Sequence, residues 1–448
     1  MKCYISFILP IVCLSAPVSV AVAAEQPEQS AFQPFEFHSY GRLGIITNEK
    51  LNGAGSDQGD GAFGVPTSRH VRDTNYLRLQ LLGRASEGNV LNVEAQIGNL
   101  AHLSNQWSGA DLNIRNAYFE TKMSEESELW FGARRLEFED VRLFDRFPLS
   151  DTTFYGVGSR FSLLGAPTTV AVGFKNLDSQ LNMAVDPSNV AQGNSDVNVT
   201  SRDTSLFIRS DVGAFHPTLI LNYRGARILN GVPLTTFKRV DESNTLIDQA
   251  APKKVLTGKL GTSLNVSMEE GGWSNYFAWV EKKVAAGDSA GSDLDTTYGL
   301  AGSGYVPIPS QADTLGVLFG VMIEHTQFKN SQVRFALKDN QIVQDADKTS
   351  RSGSVVALGL QPVYYVTDRW QAALDLSHTQ TSKVGDAKPN MTFVTPIVRY
   401  AAARNALASP MFFTSVTYGS YESKVRSNSD GEMSRTGITT QTGCEFWF

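Results

Sequence analysis

The last residues of the chain alternate without a break. Counting back from Phe448, the residues Phe448, Phe446, Cys444, Thr442, Thr440 and Ile438 share one face, and Trp447, Glu445, Gly443, Gln441, Thr439 and Gly437 share the other. A period of two with one apolar face is a half-buried β-strand. The pattern recurs near the start, where Phe35, Phe37, Leu43 and Ile45 share a face with the small Ser39 and Gly41, opposite Glu36, His38, Tyr40 and Arg42. Next, Leu77, Leu79 and Leu81 oppose Tyr76, Arg78 and Gln80. A membrane barrel with a polar lumen alternates in this way, and so does a soluble β-sandwich.

Connection lengths separate the two. We read about eighteen strands of about ten residues, the length a tilted strand needs to cross a bilayer. They begin near Phe35, Asn75, Gly88, Leu112, Ser127, Thr153, Pro167, Thr204, Phe215, Val255, Trp273, Asp295, Leu315, Gly353, Asp368, Met391, Met411 and Thr436. Their connections alternate between short ones, such as 86–89, 124–126, 164–166 and 367–368, and long polar ones, such as 47–73, 176–202, 226–254 and 329–351. Tight turns on one side and long loops on the other are the pattern of an outer-membrane barrel, whose periplasmic turns are short. An even count returns both ends to the periplasm. No Pro/Ser-rich or single-charge linker divides the chain, so one all-β domain is expected, a transmembrane antiparallel barrel over 35–448. In lipid an unpaired backbone group costs several kcal/mol, so the sheet must close on itself. A barrel of this size encloses water rather than a packed core, and the fold therefore implies transport.

The remaining sequence agrees. Lys2, the apolar run Ile5 to Val20 and the small residues Ala21-Val22-Ala23-Ala24 form a secretory signal over 1–24, followed by a short periplasmic segment over 25–34. Lipidation at Cys13 is disfavoured, because Val12 is bulkier than the residue that normally precedes a lipidated Cys. Cys3 and Cys13 lie in that leader, so Cys444 alone remains, without a disulfide or a Cys-based metal site. No later stretch approaches the ~20 apolar residues of a spanning helix. The formal charge of −6 argues against nucleic acid as a partner. The histidines His38, His70, His102, His216, His325 and His378 stand beside no recognisable nucleophile motif and show no metal spacing. Neither an enzyme, a metal nor a cofactor is expected.

Selectivity needs a constriction. The third outward loop, Leu136 to Asp151, carries Glu137, Glu139, Asp140, Arg142, Asp145 and Arg146 interleaved with Phe138, Phe144 and Phe147. Folded inward, it would narrow the lumen with charge of both signs and aromatic faces. Packed on the rim, its aromatics would form a local cluster; constriction is the reading taken. Sugars stack their C–H faces on aromatic rings, and their hydroxyls require donors and acceptors. Tyr40, Tyr76 and Trp447 fall on lumen-facing positions, with Arg42 and Arg78 on the same side. The competing role for any aromatic here is a lipid-facing girdle.

The stretches Phe37-His38-Ser39-Tyr40-Gly41-Arg42-Leu43-Gly44, Leu129-Trp130-Phe131-Gly132-Ala133-Arg134-Arg135 with Asp140, Val141 and Asp145, Phe413 to Tyr418, and Glu445-Phe446-Trp447-Phe448 resemble the maltoporin family in order and spacing. The resemblance covers most of the mature chain and is weak over 176–350. It implies a homotrimer of eighteen-stranded barrels in the outer-membrane lipid, passing di- or oligosaccharides along an aromatic path beside an ionic track. By position, Tyr40, Tyr76, Trp107, Tyr276 and Trp447 match the path, with Trp273, Phe277 and Trp279 competing with Tyr276. Arg42, Arg69, Arg115, Asp140 and Asp145 match the track, and Phe147 the constriction. The family's loop disulfide is missing. Leu407 replaces a path tryptophan, Arg78 a carboxylate, Phe138 a basic residue and Phe147 a tyrosine. Maltodextrin therefore competes with sucrose, β-glucosides and other saccharides as the solute, and a general diffusion pore is the alternative function.

Overall fold

The computed structural model describes residues 35–47, 76–86, 88–98, 111–136, 138, 140–144, 147–149, 152–184, 194–229, 232–233, 236–240, 246–250, 254–268, 271–286, 293–308, 314–329, 332–338, 341–347, 350–382, 390–406, 408–424 and 432–447. Within them the chain is nearly all strand. In order these are β1 (Phe35–Thr47), β2 (Tyr76–Ser86), β3 (Asn89–Gly98), β4 (Asp111–Ser124), β5 (Ser127–Leu136), β6 (Thr152–Leu163), β7 (Ala166–Ala184), β8 (Asn194–Ser210) and β9 (Phe215–Leu229). Then follow β10 (Val232–Pro233), β11 (Thr236–Val240), β12 (Leu246–Ala250), β13 (Lys254–Ser267), β14 (Trp273–Ala286), β15 (Asp293–Pro307) and β16 (Leu315–Lys329). The last are β17 (Gln332–Lys338), β18 (Gln341–Asp347), β19 (Ser350–Tyr365), β20 (Trp370–Ser382), β21 (Asn390–Ala401), β22 (Met411–Lys424) and β23 (Glu432–Trp447). A 3-10 turn, Arg142–Phe144, lies in the third loop.

β10 extends the edge of β9, while β11 pairs with β12 and β17 with β18 as separate hairpins in the long connections. The other eighteen strands form the wall, each antiparallel to the next. β23 closes the ring against β1, with Tyr40 opposite Trp447 and Thr47 opposite Thr440. Closure leaves no open sheet edge, which is what lipid demands of a spanning sheet.

The outer wall carries Phe35, Phe37 and Phe131, all more than half exposed, while Trp130, Phe154 and Phe207 of the alternate parity are buried. Short turns end one rim. At Leu164 (φ 52°) and Gly165 (φ 81°) the chain crosses from β6 to β7 with positive φ at both central positions, the twist that matches a two-residue hairpin.

Most wall strands are longer than the ten residues expected, although β3 and β5 have that length. β7 and β8 remain paired from Thr168–Ser210 out to Ala184–Asn194, so the polar stretch 176–202, expected as a loop, is mostly a hairpin extended beyond the barrel. Outside the bilayer no face needs an apolar residue, so the sequence signal fades while the backbone ladder continues. The expected loops 226–254 and 329–351 likewise contain β10 to β12 and β17 to β18.

Candidate functional site

The third loop leaves β5 at Leu136 and turns into the barrel. Val141, Leu143, Phe144 and Leu149 are buried in one apolar cluster with Phe277 and Trp279 of β14, Ala301 of β15, Leu318 and Met322 of β16, Val363 of β19, Ile397 of β21 and Phe413 of β22. Only the concave face of the sheet brings these strands together around one short segment. The wall is shaped to receive it. A Cβ on Gly320 would lie 3.3 Å from both Leu143 and Phe144, and one on Gly359 3.1 Å from Leu143. The loop backbone is tied as well, since Ser303 Oγ donates to the Asp140 carbonyl at 2.9 Å. The inward-folded third loop is therefore observed, and the rim reading is set aside.

A second segment enters from the short-turn end. Gln371 Nε2 donates to the Ala403 and Asn405 carbonyls at 3.3 and 2.9 Å, drawing the turn between β21 and β22 inward so that Ala406 joins the same cluster.

On the opposite wall Tyr40 and Tyr76 stand edge to face, with ring centroids 5.5 Å apart at 62°. Their strands pair so that Tyr40 faces Arg78 and Arg42 faces Tyr76. The Arg78 guanidinium carbon lies 5.3 Å from each tyrosine centroid, and its Nε donates to Gln96 Oε1 at 3.1 Å. Tyr40 Oη donates to Glu445 Oε1 at 3.3 Å. Arg42, directly opposite Glu445 in the β1–β23 ladder, is buried, reaches Gln441 Oε1 at 3.4 Å and lies 5.4 Å over the Phe413 ring.

A β-bulge brings two consecutive side chains of β4, Arg115 and Asn116, to the lumenal side. Leu112 and Ile114 are exposed on the outer wall, whereas Arg115 and Asn116 are both buried. The β3–β4 register slips between Glu94 and Ala95, leaving an extra residue on β4 that re-aims the following side chains. Arg115 Nη1 then donates to Gln96, and its Nε lies 3.7 Å from Glu94 Oε1.

Several lumenal groups escaped sequence reasoning. Arg134 pairs with Glu120 at 2.6 Å and lies 4.6 Å over Tyr118 and 5.5 Å over Trp130. Phe138 stacks on Phe207 with centroids 5.5 Å apart, and the Arg209 guanidinium lies 4.1 Å over its ring. Arg209, from β8, thus places a cation against Phe138 of the third loop. Arg399 Nη2 donates to Gln361 at 2.8 Å, and Gln361 to Asp375 at 3.4 Å. The available signal was strand parity, but nothing local marks which inward charge meets which.

The other expected residues divide as follows. Asp140 and Phe147 lie half-buried in the inward loop. Tyr276 is on the outer wall, 43 % exposed, while Phe277 and Trp279 of the same strand are buried inside. Alternation on β14 therefore removes Tyr276 from the path, and Trp273, Phe277 and Trp279 hold the inward parity. Trp107, Arg69, Asp145 and Leu407 lie outside the described residues, as does the side chain of Trp447, whose backbone pairs with Tyr40. Among the described residues no group of three His, Cys, Asp or Glu is placed to hold a metal ion.

The arrangement is a narrowed aqueous channel with charge and aromatic surface on its wall. Among solved structures the chain is similar to the outer membrane protein OmpT of Vibrio cholerae in its trimer form (11 % identity, TM-score 0.38, covering 92 % of this chain and 99 % of that one). It is also similar to OprD of Pseudomonas aeruginosa (8 %, TM-score 0.43, 92 % and 95 %) and to the outer membrane channel DcaP of Acinetobacter baumannii (14 %, TM-score 0.40, 92 % and 97 %). No curated protein matches the sequence. The model of the LamB porin family matches residues 35–448. This span is the whole barrel, and the chain belongs to the LamB porin family, as a channel of the bacterial outer membrane.

Proposed function

We propose that the channel passes di- or oligosaccharides selectively, by facilitated diffusion along an aromatic path flanked by an ionic track. The observation that carries this reading is the Tyr40–Tyr76 pair, with Arg78, Arg42 and Glu445 in the adjoining cross-strand positions. A sugar presents an apolar face and a rim of hydroxyls; rings take the first, and guanidinium donors and carboxylate acceptors take the second. Trp447, whose backbone pairs with Tyr40, and Trp107 extend the path in this reading. Arg115, Arg69, Asp140 and Asp145 contribute to the track, and Phe147 to the constriction. Affinity is modest, because a channel must release what it binds.

The same reading includes a homotrimer, removal of 1–24 on export, and passage without any chemical step, cofactor or metal. Liposome swelling with maltose, maltodextrins, sucrose and β-glucosides tests it. One saccharide class should permeate faster than its size alone predicts. Rates that follow molecular size throughout would instead describe a general diffusion pore.

A further inference from the structure

We infer that the short-turn rim of the barrel carries, on its outer face, a binding site for an anionic phospholipid, with Arg369 taking the headgroup phosphate beside Trp370 and Tyr400. The site faces lipid rather than the lumen, so it is independent of which solute the channel passes.

The turn between β19 and β20 is fixed by its own hydrogen bonds. Thr367 Oγ1 accepts from the Arg369 and Trp370 amides at 3.2 and 2.9 Å, and the Arg369 carbonyl accepts from the Ala401 amide at 2.8 Å. The backbone of the arginine is therefore held from both sides. Trp370 pairs with Tyr400 across β20 and β21. Alternation puts both on the outer wall, since Gln371 and Arg399 of the opposite parity are buried while Trp370 and Val398 are about half exposed. The two rings stand edge to face with centroids 5.2 Å apart. The Arg369 side chain joins them, its Nη1 donating to the Tyr400 hydroxyl at 3.0 Å.

Charge decides what this patch takes. Among the described residues the side-chain partner of Arg369 is that neutral hydroxyl, and Asp368 reaches instead to Arg404 of the following turn, at 3.5 Å. The two turns thus hold two guanidinium groups and one carboxylate, an excess of positive charge at the rim. Tyr400 occupies one of the five guanidinium donors, and the Nε–Nη2 edge presents the two parallel N–H groups that a phosphate takes. Toward the membrane the next outward row is apolar, with Tyr364 opposite Ala372 and Ala372 opposite Val398. Tyr364, Val366 and Phe412 are each about half exposed there. An acyl chain can lie along that wall while its phosphate stays beside the indole and phenol, the level at which barrel girdles meet headgroups. A free phosphate uses only the guanidinium, whereas a phospholipid uses both surfaces.

The test uses the full protein in detergent micelles doped equally with phosphatidylglycerol and phosphatidylethanolamine of identical chains, with bound lipid read by native mass spectrometry. Phosphatidylglycerol should be retained about fivefold more, the factor expected of one basic group at an anionic headgroup. Arg369→Gln should equalise the two lipids. Tyr400→Phe, which keeps the charge and removes only the hydroxyl that orients it, should lower the preference in part. Arg84→Gln removes another rim arginine, paired with Glu36 at 2.9 Å, and should leave the preference unchanged. Equal retention by the unmodified protein, or a preference that survives Arg369→Gln, overturns the inference. If Arg369→Gln fails to fold, a preference untouched by Tyr400→Phe overturns it. Displacement of the lipid by millimolar inorganic phosphate would describe an ion site without a lipid and overturns it as well.

Discussion

Tyr40 and Tyr76 meet edge to face across neighbouring strands, with their centroids 5.5 Å apart on the lumenal side of the wall. Neither ring is fully covered by protein, so both keep surface for a passing solute. If that surface is used, replacing either tyrosine with Ala should weaken saccharide block by about two- to twelvefold, the cost of losing one aromatic contact of roughly 0.5–1.5 kcal/mol. Because the rings touch, the double variant should lose less than the two single effects combined. Current-noise titration of the four channels measures both quantities.

The outer-wall position of Tyr276 gives a contrasting expectation. Tyr276→Ala should leave saccharide block within about twofold of the parent channel, since alternation directs the ring to lipid. Trp279→Ala removes a buried ring from the loop-anchoring cluster and should alter conductance. The same titration, run on both variants, separates the faces of β14.

Phe144 is fully buried against Gly320 and Gly359. Truncating such a side chain costs about 3–5 kcal/mol of packing in a rigid core. Here the loss falls on a loop whose barrel is closed independently by its own ladder. Phe144→Ala should therefore preserve the barrel and raise open-channel conductance and its noise. Gly359→Leu, which places side-chain volume where Leu143 and Phe144 sit, should do the same by pushing the loop away. Single-channel recording checks both, with heat resistance on gels as the control for folding.

Much of this was legible in the sequence because a membrane wall imposes alternation. Seventeen of the eighteen expected strand starts fall within about four residues of those observed, boundary precision being the weakest part of such reading; the exception is β8, expected at Thr204 and found at Asn194. There the hairpin leaves the bilayer and its polar residues lose the marker that identifies strands within lipid. Arg42 and Tyr40 were placed correctly by parity. Arg115 follows the alternation of Leu112 and Ile114, but a bulge then brings Asn116 inside beside it and resets the parity of the rest of β4, which the local pattern does not announce. The cluster of Leu143, Phe144 and Leu149 with Phe277 and Phe413 joins residues more than a hundred positions apart, and local pattern carries no information about such meetings. Arg209 over Phe138 was missed for the same reason.

Glu120 and Arg134 form a short ion pair, 2.6 Å apart, beside the Tyr118 and Trp130 rings. Glu120→Gln leaves the guanidinium charge uncompensated by that partner and should raise the anion-to-cation permeability ratio by roughly twofold, a local field effect of one wall charge. Reversal potentials across a potassium chloride gradient read this directly. An unchanged ratio would mean that the pair lies away from the ion path.

The most direct measurement of the central claim is single-channel current through the unmodified protein while saccharides are added one at a time. The account predicts that at least one di- or oligosaccharide interrupts the current in a saturable, concentration-dependent way, and that Tyr40→Ala and Tyr76→Ala both raise the concentration required. A current that no saccharide interrupts, acidic or neutral, would contradict it and leave a porin whose aromatic wall serves structure alone.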